Sequence, residues 1–281
     1  MRLFALTALT MLAFAGNSIL NRLALADGSI APDAFALIRL FSGALVLAVL
    51  VVATRPHGMT GWLRQGTVVG ALSLAVYAVS FSFAYVGMDA GFGALLLFAV
   101  VQVTMFAAAL VGRQETIGRM RWIGTLMALG GLAILLLPGS SAPPLLYAGL
   151  MISGAVAWGF YTLAGKGSTD PLAATAANFV FATPVALAAW LLMPASLAPG
   201  GISTGGVFLA LLSGIVTSGL GYALWYSVLP RLRTTTAALS QLTVPVIAAA
   251  GGIVLLGEAL TLTFALATLL VIAGIALSLR R

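Results

Sequence analysis

The chain has 281 residues, 62% of them apolar and 7% charged, with a formal net charge of +7. Ordinary soluble domains carry roughly 25% charged residues, so a soluble fold is excluded. The absence of cysteine excludes disulfides, thiolate metal sites and cysteine nucleophiles, and the single histidine, His57, lies in a polar loop without companion ligands, so no metal site is expected.

A bilayer core of about 30 Å is crossed by about 20 apolar residues in a helix. The chain divides into ten such runs, near 3–21, 32–53, 64–86, 91–112, 119–137, 145–164, 171–192, 206–229, 235–255 and 260–279. The first follows Arg2 and precedes Ala24-Leu25-Ala26, which resembles a signal-peptide cleavage site. Asn17, Asn21 and Arg22 interrupt its later part and nine more runs follow, so it is read as a retained span.

The second run carries Arg39 one to two turns from its end. A side chain there either meets a carboxylate or snorkels to the headgroups; snorkelling is the expectation, with an outer gate as the alternative. On the third run Tyr77, Phe81 and Tyr85 recur every four residues and share one helix face, while Gly66 and Gly70 form a G-x-x-x-G pair suited to close packing. Phe98 and Gln102 share a face of the fourth, Trp158 and Tyr161 mark the sixth, and Tyr222, Trp225 and Tyr226 mark the eighth. Tyr85 and Tyr226, near span ends, are expected in the interfacial belt. Pro184 in the seventh run and Pro245 in the ninth each delete a backbone hydrogen bond and offer a hinge.

The two halves answer each other. At a shift of 143 residues Glu115, Thr125, Leu126, Gly131 and Ala133 coincide with Glu258, Thr268, Leu269, Gly274 and Ala276. Gly16 and Gly159 coincide at the same shift, and near the third runs the shift drifts to 144 or 145, pairing Gly70 with Gly214 and Tyr77 with Tyr222. The chain is thus one membrane domain, 1–281, made of a first five-helix repeat, 1–139, and a second, 144–281, joined by PGSSAPP at 138–144. With both termini cytoplasmic, eleven of the thirteen basic residues, all but Arg22 and Arg39, fall on the inner side, as the positive-inside rule asks. This distribution accounts for the positive charge without a nucleic-acid partner. Five spans per half make the repeats inverted, an architecture that places a substrate site between halves that rock about it. Glu115 and Glu258 are expected to start the closing helix of each half, where a carboxylate favours the helix's positive end.

No Asp or Glu lies deep in a span, which argues against obvious ion coupling, and no acid/base or metal constellation supports an intramembrane enzyme. Organophosphate carriers call for several cavity cations, and Arg39 is the sole deep one. Tyr77, Phe81, Phe98 and Trp158 with Gln102 and Gln241 suit an amphipathic planar solute, held by ring stacking and by hydrogen bonds at its polar ends. The alternative is that the aromatics fill helix contacts and the glutamines join helices.

Ten spans in two inverted repeats, each with a Glu before a Gly-rich closing helix, resemble the EamA-type carriers of the drug/metabolite transporter superfamily. The second half carries that pattern as Gly257-Glu258 to Gly274 and as Trp158-Gly159. The first half departs, with Arg113 and Gln114 between Gly112 and Glu115 and with Ala15-Gly16 in place of Trp-Gly. Within the superfamily the chain is most similar to the YddG-like aromatic amino acid exporters, a likeness resting on Tyr77, Phe81, Phe98 and Trp158. The resemblance implies a multi-pass protein of the bacterial inner membrane with a central cavity. It further implies export of aromatic or apolar amino acids by alternating access, no cofactor and no enzymatic activity. The implied partners are a small-molecule substrate and the lipid bilayer, with a monomer as the expected unit.

Overall fold

In lipid every backbone polar group must find its partner within the protein, so an apolar chain crosses as helices. The computed structural model describes residues 2–54, 61–111, 118–136, 143–165, 168–193, 200–232 and 240–278. Among these the secondary structure is helical: α1 (Arg2–Leu25), α2 (Pro32–Thr54), α3 (Val68–Ala84), α4 (Ala90–Val111), α5 (Arg119–Leu136), α6 (Leu145–Gly165), α7 (Pro171–Leu192), α8 (Thr204–Arg231), α9 (Thr243–Leu256) and α10 (Leu262–Ser278). Phe41, Leu45, Leu72, Val76, Phe208 and Leu266 are exposed along their helices, which is the outer surface of a protein solvated by lipid. Glu115, His57, Lys166 and most of the 138–144 connection, with the boundary it sets between the repeats, lie outside the described residues.

Local chemistry sets the helix starts. The Thr67, Asp170 and Ser203 side chains accept from the backbone N–H groups of Gly70, Ala173 and Gly206, capping α3, α7 and α8. Pro171 at the first position of α7 gives up an N–H that would have no partner there. The third span differs from the run expected at 64–86: a short 3-10 turn, Trp62–Gln65, precedes extended Gly66, and α3 begins only at Val68. Gly66 and Gly70 therefore do not share one helix, yet both lie against α7, Gly66 by Phe181 and Ala177 and Gly70 by Asn178.

The packing repeats with the halves exchanged. α3 lies on α6 as α8 lies on α1; α4 lies on α6 as α9 lies on α1; α3 lies on α7 as α8 lies on α2. The remaining large contacts join counterparts directly: α2 with α7, α4 with α9 and α5 with α10. In the last pair the glycines of the duplicated segment do the joining. A Cβ on Gly274 would come within 2.6 Å of the Gly124 carbonyl oxygen and 2.6 Å of the Ala128 nitrogen, so the two backbones touch where glycine leaves room.

One departure from regular helix was not legible in the sequence. Within α8 the segment Ser213–Leu220 is a π-helix, continuous with α-helix on both sides. Such wide turns are rare and concentrate at functional sites.

Candidate functional site

At the centre of the bundle, helices of both halves present an aromatic cluster. The Trp158 ring of α6 lies 4.7 Å from Tyr77 of α3 and 4.7 Å from Tyr222 of α8. Phe14 of α1 meets Trp158 edge-on at 6.0 Å and stacks toward Phe98 of α4 at 6.3 Å. Phe81 sits 5.1 Å from Tyr77, one turn along α3. The duplicated tyrosines meet across the halves, with the Tyr222 hydroxyl donating to that of Tyr77 at 3.1 Å. The space enclosed by Phe14, Asn17, Tyr77, Phe98, Trp158 and Tyr222 leaves about 10 Å³ for the centre of a water-sized sphere, room for about one water. The cluster is closed on itself.

Arg39 lies behind these rings and does not snorkel, because its whole side chain is 1% exposed. Its Nε donates to Ser218 Oγ at 2.8 Å, and one terminal nitrogen donates to the Tyr222 hydroxyl at 2.7 Å and the Tyr77 hydroxyl at 3.3 Å. Its carbon centre stands 5.1 Å from the Tyr77 ring and 5.2 Å from the Phe81 ring. The bundle can hold the guanidinium because the hydroxyls of α3 and α8 replace water around it. Asn17 completes the network: its Oδ1 accepts from Ser213 at 2.7 Å and Thr217 at 3.2 Å, and its amide donates to the Tyr77 hydroxyl at 3.3 Å. In a wide helix, residues four to five apart stack; Ser213, Thr217, Ser218 and Tyr222 thus face Asn17 and Arg39 together.

Of the residues singled out in the sequence, Tyr77, Phe81, Phe98 and Trp158 line the central space. Gln102, half-buried one turn further along α4, and Gln241, buried just before α9, do not. Pro184 is exposed inside α7, which continues through it with one backbone hydrogen bond lost, and Pro245 falls in the first turn of α9, where the lost N–H has no helical partner. Tyr85 and Tyr226 are not belt residues: both are buried, their hydroxyls donating to the carbonyls of Ala90 and Tyr161. Phe14, Asn17, Ser213, Thr217 and Ser218 were missed as site residues. Asn17, a polar residue in mid-span, was the available signal; hydroxyls are too common in membrane helices to be one.

One end of the cluster is sealed by charge. Arg22, at the end of α1, bonds the Glu258 carboxylate at 3.3 Å, Asp89 at 3.3 Å and the carbonyls of Tyr85 and Val86. Glu258 does not start its own closing helix. Left-handed Gly257 ends α9 and turns the carboxylate toward α4, where both oxygens accept from the Ala90 N–H at 3.0 Å; Thr261 accepts from Phe264 N–H and takes the capping role at α10. Burial pushes the Glu258 carboxyl above the usual carboxylate range, with Asp89 adding to the shift while the Ala90 N–H and Arg22 oppose it. At the same end the α1–α2 and α7–α8 loops pair backbone to backbone, Ala31 N–H on Gly201 at 2.9 Å and Ser203 N–H on Ser29 at 2.9 Å. At the opposite end an open cavity of about 290 Å³ lies among Arg64, Thr67, Ser168, Thr169, Asn178 and Tyr226.

Ten helices in two exchangeable five-helix halves, lipid-exposed on the outside and closing on a mixed aromatic and polar centre, define a multi-pass membrane protein of the transporter class. Residues 145–280 match the EamA-like transporter family. An uncharacterized protein of Pseudomonas aeruginosa is 51% identical over 99% of this chain and 94% of its own length. One solved crystal structure covers 96% of this chain and 96% of its own at a TM-score of 0.63 and 21% identity, a likeness of fold. The second half of the chain is thus an EamA-like transporter domain of the drug/metabolite transporter superfamily, a family of membrane transporters of small metabolites.

Proposed function

We propose that the protein exports aromatic or apolar amino acids and related metabolites from the cytoplasm across the bacterial inner membrane, as YddG-like carriers do. The observation that carries this reading is the aromatic cluster at the meeting of the halves, with Trp158 packed on both Tyr77 and Tyr222. Stacked and edge-on rings around a small polar core are a surface that a planar side chain can replace ring for ring.

The difference between the two ends supports alternating access. In the orientation that puts Arg2, Arg64, Arg119 and Arg231 inside, the open cavity beside Arg64 faces the cytoplasm and the Arg22–Glu258 seal faces outward. Solute arriving from the cavity enters between Trp158, Tyr77 and Tyr222 as those rings part. Rocking of the halves then breaks the seal and releases it outside. Gln102 and Gln241 remain candidates for its polar groups once the cluster opens.

Efflux of labelled phenylalanine from proteoliposomes tests the proposal. Wild-type protein should give saturable, counterflow-competent efflux that the Trp158→Ala, Gln102→Ala double variant loses by tenfold or more. Equal efflux by the two proteins sinks the site assignment, and a leak without saturation or counterflow indicates a pore instead of a carrier.

A further inference from the structure

We infer that the transported solute carries a carboxylate and that Arg39 binds it. This deepens the function proposed above and rests on its placing the solute at the central cluster. A guanidinium stays charged at any accessible pH, and Arg39 is buried with no carboxylate paired to it among the described residues. Asp89 and Glu258 hold Arg22, Asp27 holds Ser29, Asp33 accepts from the Ala34 N–H, and Asp170 caps α7. A buried charge without an opposite charge is costly, and it persists where something outside the fold uses it.

The hydrogen bonding around it is short of acceptors. Three donors converge on the Tyr77 hydroxyl oxygen: the Asn17 amide at 3.3 Å, Arg39 at 3.3 Å and the Tyr222 hydroxyl at 3.1 Å. Asn17 Oδ1 is already engaged by Ser213 and Thr217. Among the described residues four buried side-chain groups have no partner, Arg39 Nη1, the Trp158 and Trp225 indole N–H groups and the Tyr161 hydroxyl, and native structures leave few such groups without a reason. A carboxylate supplies what is lacking, one negative charge and two oxygens in the plane that a guanidinium fork matches. Trp158, Tyr77 and Tyr222 line the central space, and the two tyrosines are Arg39's own partners, so parting their hydroxyls joins that space to the guanidinium. The solute's apolar end then lies among Phe14, Phe98 and Trp158. Gln102 and Gln241 are then left for the solute's other polar group.

The test uses purified full-length protein in detergent and two matched pairs, 3-phenylpropionate against phenethylamine and hexanoate against hexylamine. Binding is followed by tryptophan fluorescence and by thermal stabilisation. In the wild type each acid should bind at least tenfold more tightly than its amine, and Arg39→Lys and Arg39→Met should cut that preference tenfold or more. Because the panel is run first on unaltered protein, the result does not hang on how the variants fold. Equal binding of acid and amine, stronger binding of the amine, or no binding of either pair overturns the inference. An acid preference equal for the phenyl and hexyl pairs upholds Arg39 and removes the aromatic reading. A phenyl preference without an acid preference does the reverse.

Discussion

Deleting the buried charge should disturb the fold less than deleting one of its partners. Arg39 donates three hydrogen bonds, at 2.8 Å to Ser218, 2.7 Å to Tyr222 and 3.3 Å to Tyr77. At about 1.5–3 kcal/mol for each bond to a charged group, with the longest counted at half or less, they gather on the order of 4–7 kcal/mol. Removing one such ion from water costs several kcal/mol even after the protein relaxes, and the unpartnered Nη1 returns none of it. The two sums nearly cancel. Arg39→Met keeps most of the packing volume and abolishes both, so its stability should lie within about 2 kcal/mol of wild type. Tyr222→Phe keeps the ring and the charge but removes the shortest bond, at a cost of about 2–3 kcal/mol. The order therefore places Tyr222→Phe below Arg39→Met. Reversible unfolding in mixed detergent micelles, read from tryptophan fluorescence, gives both values. If Arg39→Met loses more than about 3 kcal/mol and more than Tyr222→Phe, the arginine is net structural glue, and the argument that the buried charge awaits a ligand fails.

The touching backbones of α5 and α10 give a contrast of sign. Gly274→Ala drives a methyl into the Gly124 carbonyl and the Ala128 nitrogen, which no rotamer can relieve, and should cost about 1–3 kcal/mol. At Gly130 the added carbon meets only Leu270 Cδ2 at 3.9 Å, so Gly130→Ala should be neutral or stabilising by up to about 1 kcal/mol; matching losses in thermal unfolding would refute the close packing. The Arg22 seal should respond to pH. Glu258, faced by Arg22, Asp89 and the buried Tyr85, has its carboxyl raised by burial in the closed arrangement. The closed form thus holds the proton more tightly than an open, solvated one. Its extra stability from this group is complete at low pH and is lost as pH rises past the ordinary carboxylate range. The chain has no cysteine of its own, so a Leu97→Cys variant in the central space reports opening through an impermeant thiol reagent. Labelling from the Glu258 side should rise with pH beyond the rise seen when Glu258→Gln is also present, and an identical pH response in both would exclude the carboxyl. Arg22→Gln removes two ion pairs and two carbonyl contacts, and should raise the same labelling several-fold at every pH; no change would exclude Arg22 from the seal.

The ten helices were legible because lipid favours long apolar runs, and six of the helices found are long and apolar enough to cross a membrane. The correspondence of the halves was legible because it rests on glycines where helices approach so closely that an added Cβ would collide, as at Gly131 and Gly274. The aromatic part of the site followed from the four-residue spacing of Tyr77 and Phe81. What stayed hidden depends on which helices meet. Depth along a helix suggested that Arg39 snorkels, but the hydroxyls that hold it come from Tyr77, 38 residues away, and from Ser218 and Tyr222, some 180 residues away. Glu258 likewise sits ahead of α10 in sequence while serving the start of α4 in space, 168 residues earlier.

The π-helix of α8 explains a small irregularity in the duplication. From Gly70 to Tyr77 is seven residues, and from their counterparts Gly214 to Tyr222 is eight. The one additional residue falls within the stretch that holds Ser213–Leu220. A helix that gains a residue must either turn everything beyond it by about 100° or widen one turn to swallow it. Here it widened, so Tyr222 still meets Tyr77. The enlarged turn brought Ser213, Thr217 and Ser218 round to one side, an opening for hydroxyl chemistry that α3, with its regular turns, lacks. The longer spacing on α8 thus sets an asymmetric polar face between two halves that otherwise pack alike.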